Sequence, residues 1–111
     1  MVERSGAALD RAYTALSHPV RRDILDRLTL GSARVTDLAE PYAISLAAVS
    51  KHVRQLEDAG LVYRRIAGRD HVLTARPAGL DGAHRWIATY RSFWETRLEA
   101  LDALVREPRE S

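Results

Sequence analysis

The chain is 111 residues long, carries a formal net charge of +2 and has no cysteine. That length fits one domain with a modest core, and the missing thiols exclude disulfides, thiolate metal sites and thiol redox chemistry. No stretch is apolar enough for a signal peptide or for the roughly 20 residues of a membrane span, so a cytoplasmic protein with no membrane partner is expected.

The first predicted element is a helix with Leu9, Tyr13 and Leu16 along one side. Leu16-Ser17-His18-Pro19 marks its boundary with a second helix, because Pro19 suits a first helical turn, where its missing N–H is not needed. Val20, Ile24, Leu25 and Leu28 then form a helical stripe that stops before Gly31-Ser32. A short third helix is predicted from Thr36, its expected N-cap, to Pro41 or Tyr42, with Leu38 and Ala39 facing inward. About three residues later Ser45 caps a fourth helix, the connection length of a helix-turn-helix.

The fourth helix is the richest in information. Leu46, Val49, Val53 and Leu56 recur at the spacing of one buried side, and Gly60 supplies the stop. The opposite side carries Ala47, Lys51, Arg54 and Gln55, flanked by Ala48 and Ser50. Small residues near the N-terminus let a backbone come close to a surface, while the long polar ones supply reach and donors. A helix that reads DNA in a major groove needs that combination. Ser45, Ala47, Ala48, Ser50, Lys51, Arg54 and Gln55 are therefore the candidate base-reading residues.

Two short runs rich in β-branched and bulky residues follow, 62–67 and 71–76, joined through Gly68-Arg69-Asp70 as a β-hairpin. Arg64, Arg65 and Arg69 crowd on and near its tip. A basic hairpin directly after a basic helix is the arrangement of a winged helix-turn-helix, in which the wing touches phosphates or the neighbouring minor groove. Between Ser45 and Arg76 six basic residues face three acidic ones, a stronger footprint than the small net charge.

From about Gly79 to Val105 a last helix carries Trp86, Ile87, Tyr90, Phe93, Trp94, Leu98 and Leu101 on a broad apolar face. That stripe is wider than a small winged unit covers by itself. With Leu9 and Tyr13 of the first helix, these residues are the candidate interface of a symmetric homodimer, which would bring two fourth helices to two DNA half-sites. The alternatives are that the stripe folds back on its own domain or lines a pocket for an apolar ligand. The expected architecture is a single mainly α domain with a small β-hairpin, in the order four helices, two strands, one helix. Residues 19–76 form its DNA-binding core and 79–106 its dimerisation helix. No phosphate-binding Gly-rich loop, nucleophile elbow or His-x-x-x-His pair is present, so no enzyme, catalytic residue or cofactor is expected.

These segments together resemble the ArsR (ArsR/SmtB-type) family of bacterial winged-helix transcriptional regulators. The matching stretches are 16–25, Asp37-Leu38-Ala39-Glu40 with Ile44-Ser45, 49–56, and Ala59-Gly60-Leu61-Val62, within a resemblance that spans roughly residues 9–105. One departure is Ala43, where many relatives carry Gly or a small polar residue. The resemblance implies dimerisation through the last and first helices. It also implies that the family's metal-binding cysteine positions fall here on Arg34 and Thr36, which bind no soft metal. On the last helix Asp81 and His84 lack the second ligand pair, so no metal site is expected. The pattern from Arg91 to Leu101 resembles a Cys-free branch often encoded beside a START-like ligand-binding protein, which leaves room for a small-molecule inducer. Two readings follow: a homodimeric, sequence-specific DNA-binding repressor that regulates its own promoter by occlusion, or a winged-helix protein–protein adaptor working through the aromatic helix without specific DNA binding.

Overall fold

A computed structural model describes residues 2–106. The helices are α1 (Val2–Leu16), α2 (Pro19–Leu28), α3 (Val35–Ala39), α4 (Leu46–Asp58) and α5 (Asp81–Arg106), and the strands are β1 (Ala33–Arg34), β2 (Val62–Ala67) and β3 (Asp70–Ala75). The result is the expected mainly α winged helix-turn-helix, with one addition. Beyond the predicted hairpin, β1 joins the other side of β3, giving an antiparallel sheet of order β1-β3-β2. Two residues, one of them Arg34, carry too little pattern to read as a strand. They become one because β3 offers a free edge, which pairs Ala33 with Leu73 and Arg34 with Val72.

The core is where the three-helix unit meets the root of the sheet. Ile24 and Leu28 of α2, Leu38 of α3, Val49, Val53 and Leu56 of α4, Leu61, Val62 and Leu73 bury together with Ala15 and Val35. Val20 and Leu25 pack at its edge. The predicted stripe of α4 holds at its last three positions, but Leu46 is 50% exposed. It is the first residue of the helix and lies on the rim of the cleft beside the wing.

Local chemistry accounts for the helix ends. Pro19 opens α2, and Nδ1 of His18 accepts the Val20 N–H at 3.1 Å. Helix α3 begins at Val35, one residue before the predicted Thr36 cap, and its N-cap Arg34 makes no side-chain cap bond. Instead Arg34 clamps Asp37 of the first turn through Nε and Nη2 at 3.0 and 3.1 Å. At the other end α3 stops at Ala39, short of the predicted Pro41 or Tyr42, because Pro41 lacks the N–H the helical ladder needs. The turn to α4 therefore runs from residue 40 to 45, longer than the three residues expected. It closes with the Tyr42 N–H on the Ala39 carbonyl, while the Tyr42 hydroxyl donates to Asp23 of α2. Ala43 takes ordinary backbone angles within it.

Helix α4 ends in a Schellman motif. Leu61 N–H bonds the Leu56 carbonyl at 3.0 Å and Gly60 N–H that of Glu57 at 2.9 Å, with Gly60 at φ +72°. The hairpin turn is shorter than predicted: Ala67 pairs with Asp70, leaving Gly68-Arg69 as its two central residues. Gly68 sits at φ +64°, as the first central residue of a II′-type turn requires. A 3₁₀ turn, Pro77–Leu80, then brings the chain back under α4 before α5 departs.

Candidate nucleic-acid interface

Helix α4 is anchored by its back and open at its front. Val49, Val53 and Leu56 are fully buried, whereas Ala47, Lys51, Arg54 and Gln55 are exposed and Ala48 and Ser50 lie at the margins of that front. Among the described residues no ion pair engages Lys51 or Arg54, so both cations are free to turn outward. The Ser45 hydroxyl, one of the candidate base readers, accepts the Ala48 N–H at 3.1 Å and is thus the N-cap that fixes where α4 starts.

A polar post supports the middle of α4 from behind. Arg21 of α2 donates through Nε to the Ala15 carbonyl (2.8 Å), through Nη2 to the Thr14 carbonyl (2.8 Å) and through Nη1 to Nδ1 of His52 (2.9 Å). The His18 ring lies against that of His52, with centroids 4.3 Å apart. Burial, reinforced by the charges of His18, Arg21 and Lys51, pushes the His52 pKa below its ordinary value. Arg27 plays the same structural part for α3, donating to the Leu38 and Asp37 carbonyls at 2.9 and 3.1 Å.

The wing holds the remaining candidates. Arg69 sits in the hairpin turn and Arg65 on β2, both exposed. Arg64 is engaged elsewhere. Its Nε and Nη2 grip both oxygens of Glu57 on α4 at 3.2 and 2.7 Å, and Nη1 lies 2.9 Å from Nδ1 of His71. The hydrogen bond to Glu57 is the main reason its pKa rises further. Arg64 therefore ties the wing to α4 rather than projecting from the tip. A second tie runs from Arg34 to Asp37 and, at 3.7 Å, to Asp70 at the turn; its hydrogen bond to Asp37 holds that carboxyl below the usual range. Sequence reasoning missed Glu57 and Arg34. The available signal for Glu57 was an acid near the end of an otherwise cationic helix, followed seven residues later by an arginine.

Between wing and α4 lies an open cleft of about 280 Å³, with Thr36, Ser50, Arg64, Arg69 and His71 among its walls. The described residues hold no group of three or more His, Cys, Asp or Glu placed for a metal ion, and none of their helices is long and apolar enough to cross a membrane.

The candidate interface residues of α5 stand along one open face. Trp86, Ile87, Tyr90, Phe93, Trp94, Leu98 and Leu101 are all about half exposed, and Ala83 alone of that helix is buried. The helix that α5 packs against is α1, where Leu9 and Tyr13 are half-buried. Tyr13 meets Trp86 edge-on at 6.2 Å, Trp86 stacks on Tyr90 at 5.1 Å, and Tyr90 meets Trp94 at 6.1 Å. The Tyr13 hydroxyl is buried without a hydrogen-bond partner among the described residues.

Comparison with known proteins agrees with this geometry. A helix-turn-helix domain family matches residues 16–65. The chain is 42% identical over 96 residues to the HTH-type transcriptional regulator Rv2034 of Mycobacterium tuberculosis, covering 86% of this chain and 87% of that protein. It is 27% identical over 82 residues to the transcriptional repressor SdpR of Bacillus subtilis, covering 74% and 91%. Among solved structures, an ArsR family transcriptional regulator, RHA00566, superposes with a TM-score of 0.77 at 31% identity, covering 81% of this chain and 93% of that one. The homodimeric winged helix-turn-helix domain of Mb0332 from Mycobacterium bovis gives a TM-score of 0.59 at 26% identity, covering 95% and 88%. Identity of 42% along most of one regulator, with the same fold in a named member of the family, places this chain in the ArsR family of winged helix-turn-helix transcriptional regulators.

Proposed function

We propose that the protein is a homodimeric, sequence-specific DNA-binding repressor that acts on its own promoter by occluding it. The observation that carries this reading is α4: its back is locked into the core and its front offers small residues, with Lys51 and Arg54 outside any ion pair among the described residues. In the major groove that front reads bases with Ala47, Ala48, Ser50, Lys51, Arg54 and Gln55, while Ser45 fixes the helix start. Arg65 and Arg69 hold phosphates from the wing, with Arg64 keeping the wing in place.

The dimer follows from the unpartnered α5 face. Seven large apolar side chains, each about half exposed along one face of α5, form a contiguous stripe of the kind that marks a protein–protein contact, and the unsatisfied Tyr13 hydroxyl marks its edge. A second copy joined through α5 and α1 covers the stripe and sets two α4 helices toward half-sites about one helical turn apart. The homodimeric state of the Mycobacterium bovis domain and the repressor function of SdpR support the same reading.

The test is binding of the purified protein to its own upstream promoter fragment and to scrambled DNA, each at low and physiological salt. A preference for the promoter is expected, with affinity falling by orders of magnitude between the two salts if about six phosphates are contacted. Weak, salt-insensitive binding that treats both DNAs alike would sink the repressor reading in favour of an adaptor working through α5.

A further inference from the structure

The inner face of the wing carries a row of residues that passes from core to solvent. In the β2–β3 register Arg64 lies opposite Leu73 and Ile66 opposite His71. Side chains alternate along a strand, so these four share one face of the sheet. Leu73 is fully buried, which turns that face toward the helices. His71, two residues nearer the tip, is exposed and lines the cleft between wing and α4, with Ser50 and Thr36 across from it.

Only one placement of the ring proton fits His71. A guanidinium donates and never accepts, so the 2.9 Å contact with Arg64 Nη1 makes Nδ1 the acceptor and puts the proton of the neutral imidazole on Nε2. Arg64 has little freedom to do otherwise, because the Glu57 carboxylate holds it on two nitrogens and both side chains are about three-quarters shielded. Glu57 on α4 thus determines, through Arg64, that His71 shows an N–H rather than a lone pair on the ring edge away from Arg64. Among the described residues that N–H has no acceptor. The carboxylate that also lines the cleft, Asp70, is drawn to Arg34.

We propose that His71 is a further DNA-contacting residue, donating Nε2–H to a backbone phosphate seated in the cleft between wing and α4, with Arg64 and Glu57 as its positioning residues. The inference rests on the DNA-binding reading above and extends it to a residue outside the arginine set. A neutral donor to phosphate carries no sequence information, and it displaces no counterion through a charge of its own.

The experiment compares wild type, His71→Leu, His71→Gln, Glu57→Gln and the Glu57→Gln/His71→Leu double variant. Each is titrated onto the upstream promoter fragment and onto scrambled DNA across a salt series. His71→Leu is expected to weaken both by about tenfold, as loss of a hydrogen bond to a charged group does, with an unchanged melting temperature and an unchanged salt slope. His71→Gln, which keeps an N–H at the same reach, should restore binding to within about twofold. Glu57→Gln should weaken the wild-type background but add nothing to His71→Leu, because both break the same relay. Wild-type affinity in His71→Leu, no rescue by Gln, or losses that multiply in the double variant would overturn the proposal. A salt slope reduced by one would overturn the neutral-donor assignment. If the wild-type protein itself shows no salt-sensitive binding, the DNA reading fails and takes this inference with it; failure confined to the variants sinks the inference alone.

Discussion

Three histidines, His18, His52 and His71, use Nδ1 as an acceptor, from the Val20 N–H, from Arg21 and from Arg64 respectively. None of those donors is able to accept, so each contact requires a ring nitrogen without a proton. For His52 the consequence is measurable. Burial first, then neighbouring positive charge, holds its folded pKa below the ordinary 6.5. Above that value the ring is neutral in both folded and unfolded chains; below it the unfolded chain takes up a proton that the folded chain refuses. The contribution of His52 to stability is therefore fully present above about pH 6.5 and is lost as pH falls toward the depressed folded value. Melting temperature should drop more between about pH 7.5 and 5.5 in wild type than in His52→Gln, which keeps an acceptor for Arg21 without the titration. Parallel curves would show that His52 is not the group responsible. Gly79 is a second residue whose identity is dictated by contact. A Cβ there would collide with the Gly60 carbonyl, standing 2.7 Å from its carbon, and that backbone has nowhere to move without undoing the Schellman turn. Gly79→Ala is expected to cost about 1–3 kcal/mol in thermal or urea denaturation, the range of overpacking.

At the scale of elements, the proposed recognition divides between α4 and the wing, and substitution separates the two roles. Arg54 stands on the exposed front of α4 with no intrachain ion pair among the described residues, so Arg54→Ala should change stability by no more than about 0.5 kcal/mol. It should lower affinity for the promoter more than for scrambled DNA, because a residue in the groove reads bases. A large fall in melting temperature would mean that the faces of α4 are reversed. Arg69 lies in the wing turn, where a phosphate contact serves every sequence alike. Arg69→Ala is expected to weaken promoter and scrambled DNA equally and to reduce the salt slope by about one. A changed base preference would instead assign the wing to sequence reading. Arg64 belongs to neither group, since its ion pair with Glu57 spends its donors inside the protein.

The whole molecule is far from spherical. Its radius of gyration is 20.2 Å, against about 13 Å for a compact chain of this length, and it extends 79 Å along its longest axis. Much of the excess comes from α5, a 26-residue rod of about 39 Å that runs beyond the body with its aromatic side uncovered. Such a shape suits a protomer whose stability is completed by a second copy. Trp94 is 47% exposed within the protomer, so replacing it removes little from the single chain and much from a two-fold α5 contact. Trp94→Ala should shift the protein from dimer to monomer in sedimentation or light scattering. It should also abolish the dependence of melting temperature on protein concentration that mass action gives a dimer. A variant that stays dimeric at micromolar concentration would remove Trp94 from the interface.

Local pattern was enough to make much of this protein legible from its residues alone. Val49, Val53 and Leu56 announced the buried side of α4, Ser45 and Gly60 its ends, and Gly68 the hairpin turn, because helix period, capping and positive φ are properties of a few neighbouring residues. The motif set from Leu16 to Val62 pointed to the right family for the same reason. What local pattern did not contain was whatever depends on partners distant in sequence. Ala33–Arg34 became a strand only because β3 had a free edge, and Leu46, at the first position of α4, remained half exposed on the rim of the cleft beside the wing. Arg64, expected near the wing tip, is ion-paired with Glu57 because that carboxylate lies beside it once β2 packs on α4. Charge and periodicity say which side chains seek a partner; only the tertiary arrangement decides which partner is near enough to be found.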